Sequence, residues 1–397
     1  MSWSGRHVVL GVSGGIASYK SCLLARQLTE AGARVDVVLT EGAAAFVRPV
    51  VFEALTGRPV LTSLWERDQA LSHIRLGKDA DLILVAPATA HLMARAAMGL
   101  ADDLLTTLLL ARTVPVLMAP AMNDEMFAHP ATQANLRILK ERGVAIVGPE
   151  VGPLAEGPSE RPGRMSEPET ILMHAVRLMS KKGKLAGRRV VVTAGPTRES
   201  LDPVRFISNR SSGKMGFRLA EAAWRRGAEV MLISGPVALG SLPGICLQRV
   251  ETTEEMADAV RAELPQADVL IMAAAPADFR PSKPDVTKRP RGDGSLNLAL
   301  EATPDILGGT RDARKEGAII VGFALETGNA HPRAREKLEK KALDLIVVND
   351  ALEPGAGFEV DTNRVTLISR TESKELPLMT KEQVADAILD HIESRLV

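Results

Sequence analysis

HVVLGVSGGIASYK, residues 7–20, decides the architecture of the first half of this chain. His7 to Val12 read as a buried strand, rich in apolar and β-branched residues. The strand runs directly into the loop SGGIA, and a helical pattern follows from about Ile16 to Ala31. Gly32 closes that helix, and ARVDVVLT (33–40) begins the next strand. This strand–loop–helix–strand unit recurs. DADLILVAP (79–87), TVPVLMAP (113–120) and GVAIVGP (143–149) are further short runs with helical patterns between them. The alternation predicts a parallel sheet covered on both faces, with ligands at the carboxyl ends of its strands.

Residues 180–188, SKKGKLAGR, form a short charged hinge, and then the pattern restarts. RRVVVTAGPT (188–197), AEVMLISGP (228–236), ADVLIMAAAPADF (267–279), AIIVGFALET (318–327) and LDLIVVND (343–350) read as strands. Helices are expected near 212–226, 252–264 and 332–342, an edge strand at RVTLIS (364–369), and a final helix from about Thr380. The fold class is therefore α/β, with two Rossmann-like domains of mostly parallel sheet. Their boundaries are expected at 1–187 and 188–397, in keeping with a length of 397 residues.

Composition narrows the function. Lys plus Arg equals Asp plus Glu, so no global field points to nucleic acid or a membrane surface. A single tyrosine and few other aromatics leave no stacking platform for bases. The two cysteines, Cys22 and Cys246, have no metal or CxxC spacing, the pattern of a reducing compartment. The N-terminal stretch turns glycine-rich without a long apolar run, and no segment reaches the roughly 18 apolar residues of a membrane span. A cytoplasmic protein without membrane or nucleic-acid partners is expected.

Several strand ends carry chemistry. The loop Gly11–Ile16 opens a helix, so its amides suit a phosphate. Its glycines do not follow GxGxxG, yet Glu41 after the second strand keeps a dinucleotide reading open. APATA (86–90) and APAMN (119–123) place small residues where a flat ring can approach the backbone, and the second ends in the amide of Asn123. His73, in SHIRLGK, reads by itself as a structural or surface residue more readily than as a functional one. The stretch GPLAEGPSERPGRM (152–165) is too rich in Gly and Pro for a helix or a central strand. Its Glu156 is either a solvated loop charge or a proton donor. In the second half, SSGKMG (211–216) lacks GxxxxGK[ST], with Met215 where a Mg-binding hydroxyl would stand, so an ATPase P-loop is excluded. Lys337 and Lys341, four residues apart beside the apolar stripe Ala334–Leu338–Ala342, read alone as a solvated basic face.

Taken together these pieces resemble a known family. VLGVSGGIA, HIRLGKDADLILVAPATA, PAMN and GRM are similar to the flavin mononucleotide (FMN)-dependent cysteine decarboxylases. TAGPTRESLDPVRFISNRSSGKMG (193–216), AAAPADFR, TPDIL, GFALET and KALDLIVVND resemble phosphopantothenate–cysteine ligases. Joined in this order, they resemble the bifunctional phosphopantothenoylcysteine decarboxylase/phosphopantothenate–cysteine ligases of bacterial coenzyme A biosynthesis, over nearly the entire chain.

The resemblance implies an N-terminal flavodoxin-like flavoprotein domain and a C-terminal ligase domain. Flavin contacts fall on Ser13, Gly14, Gly15, Ile16, Thr40, Ala86, Pro87, Ala88 and Thr89. His73 takes the place of the catalytic histidine and Asn123 that of the asparagine gripping the substrate carboxylate. The flavin oxidises the CH2–S bond, and the thioaldehyde so formed accepts the electrons left by CO2. The family has Ala-Cys-Gly where this chain has Ala155-Glu156-Gly157, and that cysteine protonates the enethiol. Glu156 is thus either a substitute acid, favoured if Leu154–Ala155 form an apolar lid, or a mark of impaired decarboxylation on a flavin-binding scaffold.

For the ligase, the resemblance implies an acyl-cytidylate made from CTP with Mg2+. Asn209 stands at the acyl intermediate, although alone it would pass for a helix cap. CTP contacts fall on Asp278, Pro304, Asp305, Ile306, Leu307, Phe323, Lys337 and Lys341. The family's Lys-Ile-Lys-Lys run is altered here to DVTKR (285–289), leaving Lys288, or else Lys283, for its first lysine. The substrates implied are 4'-phosphopantothenate, cysteine and CTP. The assembly implied is a homo-oligomer, trimer-based or larger through the flavin domain and dimeric through the ligase domain.

Overall fold

The computed structural model describes residues 3–65, 71–180, 183–288, 297–326, 330–350 and 360–396. Two compact units divide the chain, Met1–Ser180 and Lys181–Val397.

The first unit opens with β1 (His7–Val12), α1 (Ser18–Glu30) and β2 (Arg34–Leu39). Next come α2 (Glu41–Phe46), α3 (Pro49–Thr56), α4 (Ser72–Asp79) and β3 (Leu82–Ala88). They lead to α5 (Ala90–Met98), α6 (Leu104–Ala111), β4 (Val116–Pro120), α7 (Asp124–Ala128) and α8 (Pro130–Glu141). The unit ends in β5 (Ala145–Ile146), β6 (Glu150–Val151), β7 (Pro162–Arg164) and α9 (Pro168–Met179).

Five strands form one parallel sheet in the order β2-β1-β3-β4-β5, the flavodoxin-like arrangement. All six residues of β1 are buried because both faces of the sheet are covered. Val8, Leu10 and Val12 pack with Leu24 and Leu28 of α1, and Val9 packs on the other face with Leu105 and Leu108 of α6. The expected strand at 143–149 shortens to Ala145–Ile146, since the chain turns away at Gly148–Pro149, whose peptide is cis.

The second unit contains β8 (Arg189–Ala194), the hairpin β9 (Arg198–Ser200) and β10 (Phe206–Ser208), α10 (Lys214–Arg225) and β11 (Glu229–Ser234). β12 (Cys246–Arg249), α11 (Thr253–Glu263), β13 (Val269–Met272), β14 (Phe279–Pro281) and β15 (Leu300–Ala302) follow. Then come α12 (Ile306–Gly309), a 3-10 turn at Arg311–Ala313, β16 (Ile319–Glu326), α13 (Ala330–Lys340) and β17 (Leu345–Asp350). The last elements are β18 (Thr362–Asn363), β19 (Thr366–Ile368), β20 (Ser373–Glu375), β21 (Met379–Thr380) and α14 (Lys381–Arg395).

Its main sheet runs β12-β11-β8-β13-β16-β17-β19-β20. The first six strands are parallel in the doubly wound Rossmann order, and β19 and β20 add antiparallel strands. RVTLIS is therefore not an edge. Ser373–Glu375 pairs outside it, and that exposed, charged segment carries no strand signal of its own. The run expected as one strand over 267–279 stops at Met272, and Ala273–Ala277 becomes loop at the sheet's carboxyl end. Among the described residues no helix is long and apolar enough to cross a membrane.

Two candidate active sites

In the first unit, strand order reverses between β1 and β3, so a crevice opens beyond their carboxyl ends. Ser13 and Thr89 lace its two sides together. Ser13 Oγ donates to the Pro87 carbonyl (2.8 Å) and accepts from the Thr89 amide (3.0 Å). Ala86 and Ala88 are fully buried behind this lacing, and the Ala86–Pro87 peptide is cis. The amides of Gly14, Gly15 and Ile16 take no backbone partner among the described residues, which leaves them free to face an anion. Gly14 lies against Gly42, where a Cβ would come within 2.5 Å of the carbonyl carbon. Thr40 caps α2, its Oγ1 accepting from the Ala43 amide at 3.2 Å.

A cavity of about 1290 Å³ lies here, lined by Ser13–Ile16, Thr40 and Thr89 and reaching Asn123 and the segment Pro153–Glu156. A close backbone cradle for one phosphate, joined to a wide cavity at the switch point, fits FMN.

Asn123 is the N-cap of α7. Its Oδ1 accepts from the amides of Glu125 (2.9 Å) and Met126 (3.2 Å), so its Nδ2 is turned outward. That Nδ2 donates to Glu156. Glu156 stands at the tip of a two-residue turn closed by reciprocal bonds between Leu154 and Gly157, at 2.8 and 3.1 Å. The flap behind the turn is β6 paired with β7, tied down where Ser159 meets Asp124 and Arg161 meets Glu125. The apolar lid expected over Glu156 is not formed, since Ala155 and Glu156 are both exposed.

His73 sits on α4 and is not among the residues lining its own chain's cavity. Its Nδ1 is buried without a partner among the described residues. Sequence reading missed Lys20, which lines the cavity although only 5% exposed. Its Nζ donates to the Met165 carbonyl (3.0 Å) and to Glu167 (3.1 Å). The available signal was a lysine on the buried side of α1, alongside Ser18, Ser21 and Leu24.

In the second unit the switch point lies between β8 and β13, where Pro196 bridges to Ala275. Gly216 brings α10 against β8, and a Cβ there would fall 2.8 Å from the Thr193 carbonyl oxygen. A cavity of about 590 Å³ gathers Asn209, Asp278, Pro304–Leu307, Phe323, Lys337 and Lys341 from five separate segments. Asn209 is not a helix cap, because Gly213 holds that position on α10. Asn209 Nδ2 donates instead to the Pro276 carbonyl at 2.9 Å.

Asp305 caps α12, accepting from the Gly308 amide (3.1 Å), and receives Lys341 Nζ at 2.9 Å. Burial raises the Asp305 carboxyl, but the bonds from Lys341 and the Gly308 amide, together with the charges of Lys341 and Lys337, outweigh it and the net shift is downward. The two lysines are thus part of the cavity wall rather than a detached basic face. Lys288 is exposed and outside this cavity, as is Lys283, and part of the altered lysine run lies beyond the described residues. The cavity adds Lys214 and Asn349, from the quoted motifs SSGKMG and KALDLIVVND, and Asn363 and Lys381, which lie in none of them. Among the described residues, no three His, Cys, Asp or Glu side chains are grouped to hold a metal.

The Flavoprotein family model matches residues 2–180, and the model of the DNA/pantothenate metabolism flavoprotein C-terminal domain matches residues 185–396. The chain is 46% identical over 400 residues to the coenzyme A biosynthesis bifunctional protein CoaBC of Escherichia coli K12, covering 100% of this chain and 98% of that one. It is 46% identical over 393 residues to the protein of that name in Bacillus subtilis 168, covering 98% and 96%. Identity to the counterpart in Mycobacterium tuberculosis H37Rv is 47% over 404 residues, again covering 98% and 96%. With both domains matched and its relatives aligned from end to end, the chain belongs to the family of bifunctional coenzyme A biosynthesis proteins.

Proposed function

We propose that residues from about 188 onward join 4'-phosphopantothenate to cysteine using CTP, and that residues 1–187 decarboxylate the product to 4'-phosphopantetheine. The ligase half is carried by one observation: Asn209 and the CTP-assigned residues other than Lys288, scattered from 209 to 341, share one cavity at a sheet switch point. Lys337 and Lys341 supply cations for the triphosphate. The Asp305–Leu307 turn presents a helix start to it. Asn209, held by the Pro276 carbonyl, stands beside the carboxylate as its oxygen attacks the α-phosphorus and pyrophosphate leaves. Mg2+ would arrive as the counter-ion of the triphosphate, since Mg2+ is commonly bound through substrate phosphates.

In the first unit, Ser13–Ile16 would hold the FMN phosphate by backbone amides, with Thr40 and Thr89 beside it. FMN, when bound, takes up the electrons of the CH2–S bond. Asn123 Nδ2 would grip the substrate carboxylate, displacing Glu156 from that donor. Glu156 is then released to protonate the enethiol as the flap closes over it. His73 would reach a flavin held by a neighbouring copy of the chain. Trp65, 92% exposed on the cavity wall, and the exposed Leu71 and Ile74 flanking His73 favour such an assembly.

The test is product analysis with the purified protein. Yellow protein that releases FMN, CTP-dependent amide formation and CO2 release from phosphopantothenoylcysteine are the expected results. A colourless protein that takes up no FMN would end the decarboxylase reading. ATP serving better than CTP would end the ligase reading.

A further inference from the structure

The residues assigned to the nucleotide leave part of the ligase cavity unexplained. Asn363, on β18, lines that cavity while only 3% exposed, and its Oδ1 has no partner among the described residues. A buried amide oxygen without a donor is costly, so native structures seldom keep one unless a ligand or water supplies the donor. Two ammonium groups line the same cavity. Lys381, at the start of α14, is 4% exposed, and its Nζ donates to the Val360 carbonyl. Lys214, in the first turn of α10, pairs with Asp361 at 2.7 Å. Burial first, and then the charge of Lys214, push the Lys381 ammonium down to about 8. An anion arriving beside Lys381 would compensate both effects.

We propose that Asn363, Lys381 and Lys214 form the pocket for the amino-acid co-substrate of the ligase, with the two ammonium groups on its carboxylate and the Asn363 oxygen on its amine. The inference rests on the ligase reading above and adds to it the seat of the nucleophile. A triphosphate is a poor match for this corner, because its oxygens are acceptors and give Asn363 Oδ1 no donor. An α-amino acid carries the donor and the anion two bonds apart. Nearby ammonium groups also favour the unprotonated amine, the form that attacks an acyl-cytidylate. Lys214 belongs to SSGKMG, which is not a P-loop. Here that motif has a role suited to a lysine at a helix start, facing a carboxylate.

The two half-reactions of the full-length protein separate the possibilities. Pyrophosphate release from CTP and 4'-phosphopantothenate without cysteine reports the first step, and amide formation reports the second. Asn363→Ala should raise KM for cysteine about tenfold while pyrophosphate release continues, which also shows that the variant folds. Lys381→Gln should cut the preference for cysteine over cysteamine, which lacks the carboxylate, by about tenfold. A variant whose KM for CTP rises while that for cysteine holds would assign the corner to the nucleotide and overturn the proposal. Unchanged constants for both substrates would overturn it as well. If the unmodified protein releases no pyrophosphate, the ligase reading itself fails and takes this inference with it.

Discussion

Gly14→Ala should loosen the flavin cradle, and the size of the effect follows from the backbone. A Cβ on Gly14 would lie 2.5 Å from the carbonyl carbon of Gly42 and 2.7 Å from its oxygen. Those atoms belong to the first turn of α2 and have no rotamer by which to escape. Restoring ordinary contact means moving that turn outward by roughly 0.9 Å in a close-packed region. The movement pulls Ala43 from the Thr40 cap and widens the space between the two sides of the crevice. Overpacking of this kind costs about 1–3 kcal/mol, which corresponds to a loss of roughly five- to 150-fold in flavin affinity. Gly15→Ala is the matched control, since its Cβ would meet only the Thr89 methyl at 3.6 Å. Titrating flavin-free protein with FMN and following the quench of flavin fluorescence measures both variants, and thermal melts show whether the fold survives. If Gly14→Ala binds FMN like the unmodified protein, or Gly15→Ala weakens it as much, the cradle is misassigned.

A second expectation concerns acid stability. Burial pushes the Asp36 carboxyl up, but bonds from His7 (2.7 Å) and Arg58 (2.6 Å) outweigh it and hold it down at about 2. Because this lies below the ordinary value of 3.8, the stabilisation of about 2 kcal/mol is present above roughly pH 4 and lost as pH falls through 2. Urea melts across that window should show the loss, and Asp36→Asn should remove this component. Lys341→Met takes a cation from the triphosphate and leaves Asp305 unpaired, so KM for CTP should rise about tenfold; an unchanged KM would place the triphosphate elsewhere. Glu156→Gln should still release CO2 but accumulate the unsaturated enethiol, with Glu156→Cys restoring turnover. Normal turnover by Glu156→Gln would make Glu156 a loop charge, and stalling by the unmodified protein would favour a scaffold role for the flavin domain.

What the sequence determined by itself is local in origin. The unbroken apolar run of β1 and the glycines after it mark a buried strand feeding a helix, because strand propensity and turn chemistry are set within a few residues. His7–Val12 agrees with the structure to the residue, and the parallel α/β class follows from repetition of that unit. The same local rules pass over Ser373–Glu375, whose exposed polar residues form a strand only because β19 offers an edge to pair with. Strand order was beyond the pattern, since β2-β1-β3-β4-β5 and the Rossmann order of the second unit are written in the same alternating units. Order decides which loops meet. It brings Asn123 to Glu156 across 33 residues of chain and leaves His73 outside the cavity of its own chain. It buries Lys20 against the Met165 carbonyl, and it gathers Lys214, Asn363 and Lys381 in the wall of one cavity. Such meetings depend on contacts between segments distant in sequence, and only the packed sheet and its crossovers bring those segments together.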